Sequence, residues 1–122
     1  RDYFSYVAST NKSGEKIRFR FRGTRLGLFD IMGLRGAHLK VFVDGKNVKE
    51  TQRFDKYCTY NRMSYFWLPE LPEGEHIVEI VADCKPFDKI EILQTDKKID
   101  MGELNKQEVA IGKILCVGEI LD

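Results

Sequence analysis

Apolar and polar residues alternate with a period of two along much of this chain, the spacing of strands with one buried face. The clearest case is Ile17-Arg18-Phe19-Arg20-Phe21-Arg22, where Ile17, Phe19 and Phe21 point one way and the three arginines the other. Gly23-Thr24 interrupts the pattern, and Arg25 to Ile31 resumes it as a second strand. After a loop around Gly33 and Gly36, residues 38–43 read as a strand ending at Asp44-Gly45, a strong hairpin signal. Further strands are expected over 53–61 and 64–68. Pro69, Pro72 and Glu73-Gly74 then make a turn before the alternating run 75–81. Pro86 breaks that run, residues 89–93 begin the next strand, and Val109 to Leu121 close the chain as an apolar strand interrupted by Gly112 and Gly118. The polar stretch from Thr95 to Glu108 reads as an excursion with weak helical character.

Eight or nine short strands at spacings near ten residues, with almost no helical periodicity, predict an all-β domain. The expected architecture is an antiparallel β-sandwich, with a jelly roll as the specific topology. Ile17, Phe19, Phe21, Leu26, Leu28, Val41, Val43, Ile77, Val81, Ile92, Leu115 and Val117 are its expected core. The 122 residues form one domain by length, 1–122, enough to bury a core without disulfides. The chain opens at Arg1 without an initiator Met and is read as a piece of a longer polypeptide.

Charge and composition narrow the function. A formal net charge of +1 lacks the basic excess of a nucleic-acid binder, so no nucleic-acid partner is expected. No apolar run approaches the length of a membrane span, and no membrane partner is expected either. The three cysteines, Cys58, Cys84 and Cys116, lack paired CxxC spacing and read as buried thiols, with a Cys58–Cys84 bridge left open for an exported domain. No Gly-x-Ser-x-Gly or Gly-Asp-Ser block offers a hydrolase nucleophile, and the two histidines, His38 and His76, read as solvent-facing. They show neither HxH nor HExxH spacing, so no metal ligand is assigned and no cofactor is expected. The chain alone is not expected to be an enzyme.

The densest chemistry lies in Arg53-Phe54-Asp55-Lys56-Tyr57-Cys58-Thr59-Tyr60-Asn61-Arg62. Tyr and Arg recognise sugars, carboxylates and protein partners, because each combines a large planar surface with hydrogen-bonding groups. Read as a strand, the segment places Phe54, Cys58 and Tyr60 on its inner face and Arg53, Asp55 and Tyr57 outward. Asp55 is expected to pair with Arg53 or Arg62. The candidate ligand-binding set is Arg53, Asp55, Tyr57, Tyr60, Arg62 and Trp67, with Tyr57 and an outward Trp67 as stacking platforms for a sugar ring or a partner domain. The alternative is that Asp55 and the arginines tie the segment to a neighbouring loop. The basic ridge Arg18, Arg20, Arg22 reads as a solvent face balanced by acidic neighbours.

Several stretches together resemble a known module. They are Arg22 to Asp30, Val41-Phe42-Val43-Asp44-Gly45, the segment from Arg53 to Arg62, Leu71-Pro72-Glu73-Gly74-Glu75-His76, and the closing Gly112 to Ile120. The similarity is to the β-sandwich domain that accompanies the catalytic domain of some bacterial SGNH/GDSL-type hydrolases, many of them carbohydrate esterases. The resemblance implies a non-catalytic accessory domain, partnered by the catalytic hydrolase domain of the same polypeptide and by carbohydrate, in a secreted or periplasmic setting. The esterase's Gly-Asp-Ser and Asp-x-x-His blocks are both missing here, so its activity does not carry over. An independent carbohydrate-binding module, or a protein-interaction sandwich unrelated to a hydrolase, is the alternative.

Overall fold

The computed structural model describes the backbone of residues 2–121 and the side chains of residues 9–121. Seven strands and two short helices follow one another as β1 (Asp2–Thr10), β2 (Lys16–Met32), β3 (His38–Val43), β4 (Lys46–Gln52), β5 (Arg62–Trp67), β6 (Glu75–Asp83), α1 (Lys89–Leu93), α2 (Met101–Leu104) and β7 (Val109–Ile120). The strands pair antiparallel in the order β1-β7-β2-β6-β3-β4, with β5 also on β2. The result is an antiparallel β-sandwich, the class that the alternation predicts.

The two runs expected on either side of Gly23 form a single strand of 17 residues that serves both layers. Lys16 to Arg22 pair with β6, Gly27 to Met32 pair with β5, and β7 runs along the other edge from Phe21 to Asp30. At the crossing, Gly23 and Gly118 face each other with φ of +154° and +136°. A Cβ on either would sit about 2 Å from the opposing strand's carbonyl oxygen, so only glycine admits this approach. The β3–β4 hairpin turns on Asp44 and Gly45, both at positive φ, as the Asp-Gly signal predicts.

The main core lies between the layers and draws Phe19, Phe21, Leu26 and Leu28 from β2, Leu39, Val41 and Val43 from β3, and Phe66 from β5. β6 and β7 contribute Val78, Ile80, Ala82, Ile111, Ile114 and Cys116. Ile17 packs against this cluster only partly buried. Ile77 and Val81 instead take the half-buried outer face of β6, which they share with the acidic Glu75, Glu79 and Asp83, while His76, Val78, Ile80 and Ala82 turn inward. Leu115 and Val117 are displaced for a different reason. The β2–β7 register shifts between Phe29 and Asp30, leaving Gly112 as an extra residue, and that bulge flips the face of every later β7 residue. Val117 is consequently exposed.

Two expected elements are corrected. Residues 53–61 form a loop rather than a strand, and the hairpin's return strand is β4, whose polar sequence KNVKETQ hides it from a hydrophobic pattern. Residues 89–93 are a helix, capped by Asp88, whose side chain accepts from the Glu91 N–H, and stopped at Gln94 in the left-handed region. Within the excursion from Thr95 to Glu108, Asp100 caps α2 through the Glu103 N–H in the same way. These helices and the 53–61 loop enclose a second core of Met32, Phe54, Cys58, Leu93 and Leu104, with Ile92 packed against it.

Candidate functional site

The loop at 53–61 is shaped by its own carboxylate. Asp55 Oδ1 accepts from the Tyr57 N–H at 2.9 Å and the Cys58 N–H bonds the Asp55 carbonyl at 3.1 Å, a turn that competes successfully with extended backbone. Phe54 and Cys58 are buried as expected. Asp55 does pair with Arg62, whose Nη2 lies 2.7 Å from Asp55 Oδ2. Burial alone would raise the Asp55 pKa, but the Tyr57 N–H, Arg62 and Cys58 outweigh it and hold the carboxyl below its usual range. Burial pushes the Cys58 thiol up.

Arg53 departs from its expected outward position. Its guanidinium is buried and grips Asp30 bidentately, Nε to Oδ2 at 2.6 Å and Nη2 to Oδ1 at 2.8 Å, with Nη1 on Thr51 Oγ1 at 3.1 Å. The Phe66 ring lies 4.7 Å from its Cζ. Arg53 therefore anchors the loop to β2 and does not face a ligand. Tyr60 departs in the opposite sense. Expected inward, it is 62% exposed, because the turn breaks the period-two parity after Asp55. Tyr57 is also exposed, with Lys56 Nζ 5.2 Å from its ring centre.

Tyr60 stands at a cleft of about 530 Å³, within the range of small-ligand sites. Its apolar lining comes from Ile31, Leu34 and Ala110, and its polar lining from Arg35, Thr59, Asn61, Glu103 and Glu108. Arg35 is held by Glu103, Nε to Oε2 at 2.5 Å and Nη2 to Oε1 at 3.0 Å, and lies 3.6 Å from Glu108. Its hydrogen bonds and charge lower the Glu103 pKa. Arg35, Glu103 and Glu108 escaped sequence reasoning because they lie 68 and 73 residues apart and no local spacing links them.

Trp67 does face outward, beside Tyr65 and opposite the buried Phe66. It lies against Gly27, where a Cβ would come within 2.9 Å of the indole, and Arg25 Cζ sits 5.3 Å from its ring centre.

His76 is buried rather than solvent-facing. Its Nδ1 contacts Asp44 Oδ2 at 2.8 Å and its Nε2 the Pro72 carbonyl at 2.7 Å, against the Phe21 ring. Burial would lower its pKa, but the Asp44 carboxylate and the Pro72 carbonyl prevail and raise it, while Asp44 is lowered in turn. His38 bonds Gln52 at 3.2 Å. All three cysteines are free thiols, so the Cys58–Cys84 bridge does not form. The basic ridge is balanced, with Arg20–Glu75 at 2.8 Å and Arg22–Glu119 at 3.1 Å.

No protein-family model and no curated protein matches the sequence. Solved structures do match in fold. A family two carbohydrate esterase from Clostridium thermocellum, in complex with cellohexaose, aligns with a TM-score of 0.60 and 16% identity over 93% of this chain and 28% of its own. A two-domain esterase active on acetylated mannans, co-crystallised with mannopentaose, gives 0.59 and 10% over the same shares. The carbohydrate-binding module CBM36, in complex with calcium and xylotriose, gives 0.54 and 8% over 99% of this chain and 100% of its own. Among the described residues here, no three His, Cys, Asp or Glu side chains converge as they would to hold a metal ion. At these identities the likeness is one of fold, an antiparallel β-sandwich that is a whole chain in the module and 28% of the chain in the esterases.

Proposed function

We propose that this domain binds carbohydrate without catalysis, as the accessory sandwich of a longer SGNH/GDSL-type carbohydrate esterase working outside the cytoplasm. The observation that carries the reading is the cleft at Tyr60. A largely exposed phenol ring adjoins apolar lining from Ile31, Leu34 and Ala110, with amide, hydroxyl, guanidinium and carboxylate groups around it. A pyranose offers an apolar ring face and a rim of hydroxyls, and such a site meets both. The ion pairs of Arg35 hold the charged groups in place before a ligand arrives, which reduces the ordering cost of binding. Asp55, Arg62 and Arg53 support the site by fixing the loop, and Tyr57 adds an exposed ring on the same loop. The fold likeness to two esterases and to a carbohydrate-binding module is consistent with this context. The parent polypeptide's hydrolase domain is the proposed partner and the source of any catalysis.

Calorimetric titration with xylotriose, cellotriose and mannotriose tests the reading. At least one binds the wild-type domain, and Tyr60→Ala weakens it about tenfold, a loss of about 1.4 kcal/mol. If none binds, or if the variant binds as well as the wild type, the cleft is not a carbohydrate site.

A further inference from the structure

One outer face of the sandwich carries apolar side chains that the core does not use. Antiparallel pairing sets Met63 against Ile31, Tyr65 against Phe29 and Trp67 against Gly27. Tyr65 is 61% and Met63 56% exposed, and the Tyr65 ring leans on Phe29 with centroids 5.5 Å apart. The solvent face of an antiparallel sheet ordinarily turns polar, and a contiguous apolar surface marks a binding site.

Ile31 belongs to this face and to the cleft at once. It lines the cleft with Tyr60 and Asn61, and on the strand it pairs with Met63. The surface is therefore continuous from Tyr60 to Tyr65. From Met63 to Trp67, β5 covers about 13 Å at 3.3–3.4 Å per residue, a span longer than a disaccharide. We propose that the β5 face extends the cleft, so that the domain takes the interior of a linear glycan chain, with one part in the cleft and the next along Met63 and Tyr65. The inference rests on the carbohydrate reading of the cleft and adds the class of glycan, an extended chain rather than a short end. Tyr65 brings both a ring and a hydroxyl to a pyranose, and Arg25 on the adjoining strand brings a donor fork for hydroxyls.

The test compares tri- and hexasaccharides of xylan, glucan and mannan on wild type, Tyr60→Ala, Tyr65→Ala and Met63→Ser, with thermal melts confirming that each variant is folded. The hexasaccharide binds wild type about tenfold tighter than the trisaccharide. Tyr65→Ala and Met63→Ser remove that advantage and leave trisaccharide binding unchanged, whereas Tyr60→Ala weakens both ligands. Equal affinity for the two lengths in wild type overturns the extension while the cleft stands. Equal losses for both lengths in Tyr65→Ala also overturn it. Concentration-dependent self-association abolished by Tyr65→Ala assigns the face to a second copy and overturns it as well. Absence of any glycan binding removes the cleft reading and the extension together.

Discussion

Breaking the Asp30–Arg53 pair should cost more stability than any surface change in this protein. Both side chains are buried, Asp30 with 2% of its surface exposed, and two short charge-assisted hydrogen bonds join them. Asp30→Leu leaves a buried guanidinium without its counter-charge, and Arg53→Met leaves a buried carboxylate in the same state. Each single substitution should cost about 3–5 kcal/mol, most of it the penalty of the orphaned charge. For a chain of this length, with an unfolding entropy of about 2.1 cal/mol/K per residue, that loss lowers Tm by about 12–20 °C. The double variant Asp30→Leu/Arg53→Met removes both charges. Because apolar replacement of a whole buried pair is often close to neutral, it should cost less than either single variant. Urea unfolding at neutral pH, followed by circular dichroism, measures all four corners of the cycle without the screening that guanidinium would add. Single variants within about 1 kcal/mol of wild type, or a double variant as costly as the two singles together, would refute the argument.

Three further outcomes follow from other buried contacts. His76 donates to a carboxylate and a carbonyl at once only when doubly protonated. Its folded pKa is raised above 6.5, so its stabilisation is complete below pH 6.5 and is lost as pH rises through the raised value, while the contribution of Asp44 is lost as pH falls below its usual 3.8 through the lowered value. The stability gap between wild type and His76→Ala should thus be widest near pH 5 and narrow toward pH 9, and a gap constant across that range would exclude the pairing. Lys89 Nζ bonds the Leu34 and Lys106 carbonyls at 2.8 and 2.9 Å beside Phe54 and Phe87, and burial lowers its pKa to about 8. Lys89→Met should cost about 2–4 kcal/mol by stranding those carbonyls. Wild type, unlike the variant, should gain stability between about pH 8 and 10.5, where the unfolded chain still holds the proton that the folded one has released; parallel pH profiles would count against it. Gly27→Ala pushes a methyl group into Trp67, the only tryptophan, so its fluorescence emission should shift and stability should fall by about 1–3 kcal/mol; an unchanged spectrum would mean that the indole does not lie on Gly27.

Local patterns carried some parts of the site and missed others. The Asx turn that makes residues 53–61 a loop lay in plain view at Asp55, and the spacings Asp88-x-x-Glu91 and Asp100-x-x-Glu103 are helix-start signatures, the first of them masked by the strand reading of residues 89–93. The Asp55–Arg62 pair was legible because it is local. Arg35, Glu103 and Glu108 were not, because only the folding back of the excursion brings them to one cleft.

Legible along the chain are the all-β class, the Asp44-Gly45 hairpin, the buried face of β2 and the burial of Phe54 and Cys58. All of these depend on residues close together in the chain, where period and turn chemistry act directly. The acidic Glu75, Glu79 and Asp83 likewise mark the outer face of β6 along the chain. Packing in three dimensions set the face of β7 beyond Gly112, where the bulge reverses it. It also decided that Arg53 is an internal anchor, because Asp30, 23 residues earlier, offers a buried carboxylate that no local rule could supply. Tyr60 reached solvent for the complementary reason: once Arg53 and Cys58 tie the loop down, the turn between them leaves the ring pointing into the cleft.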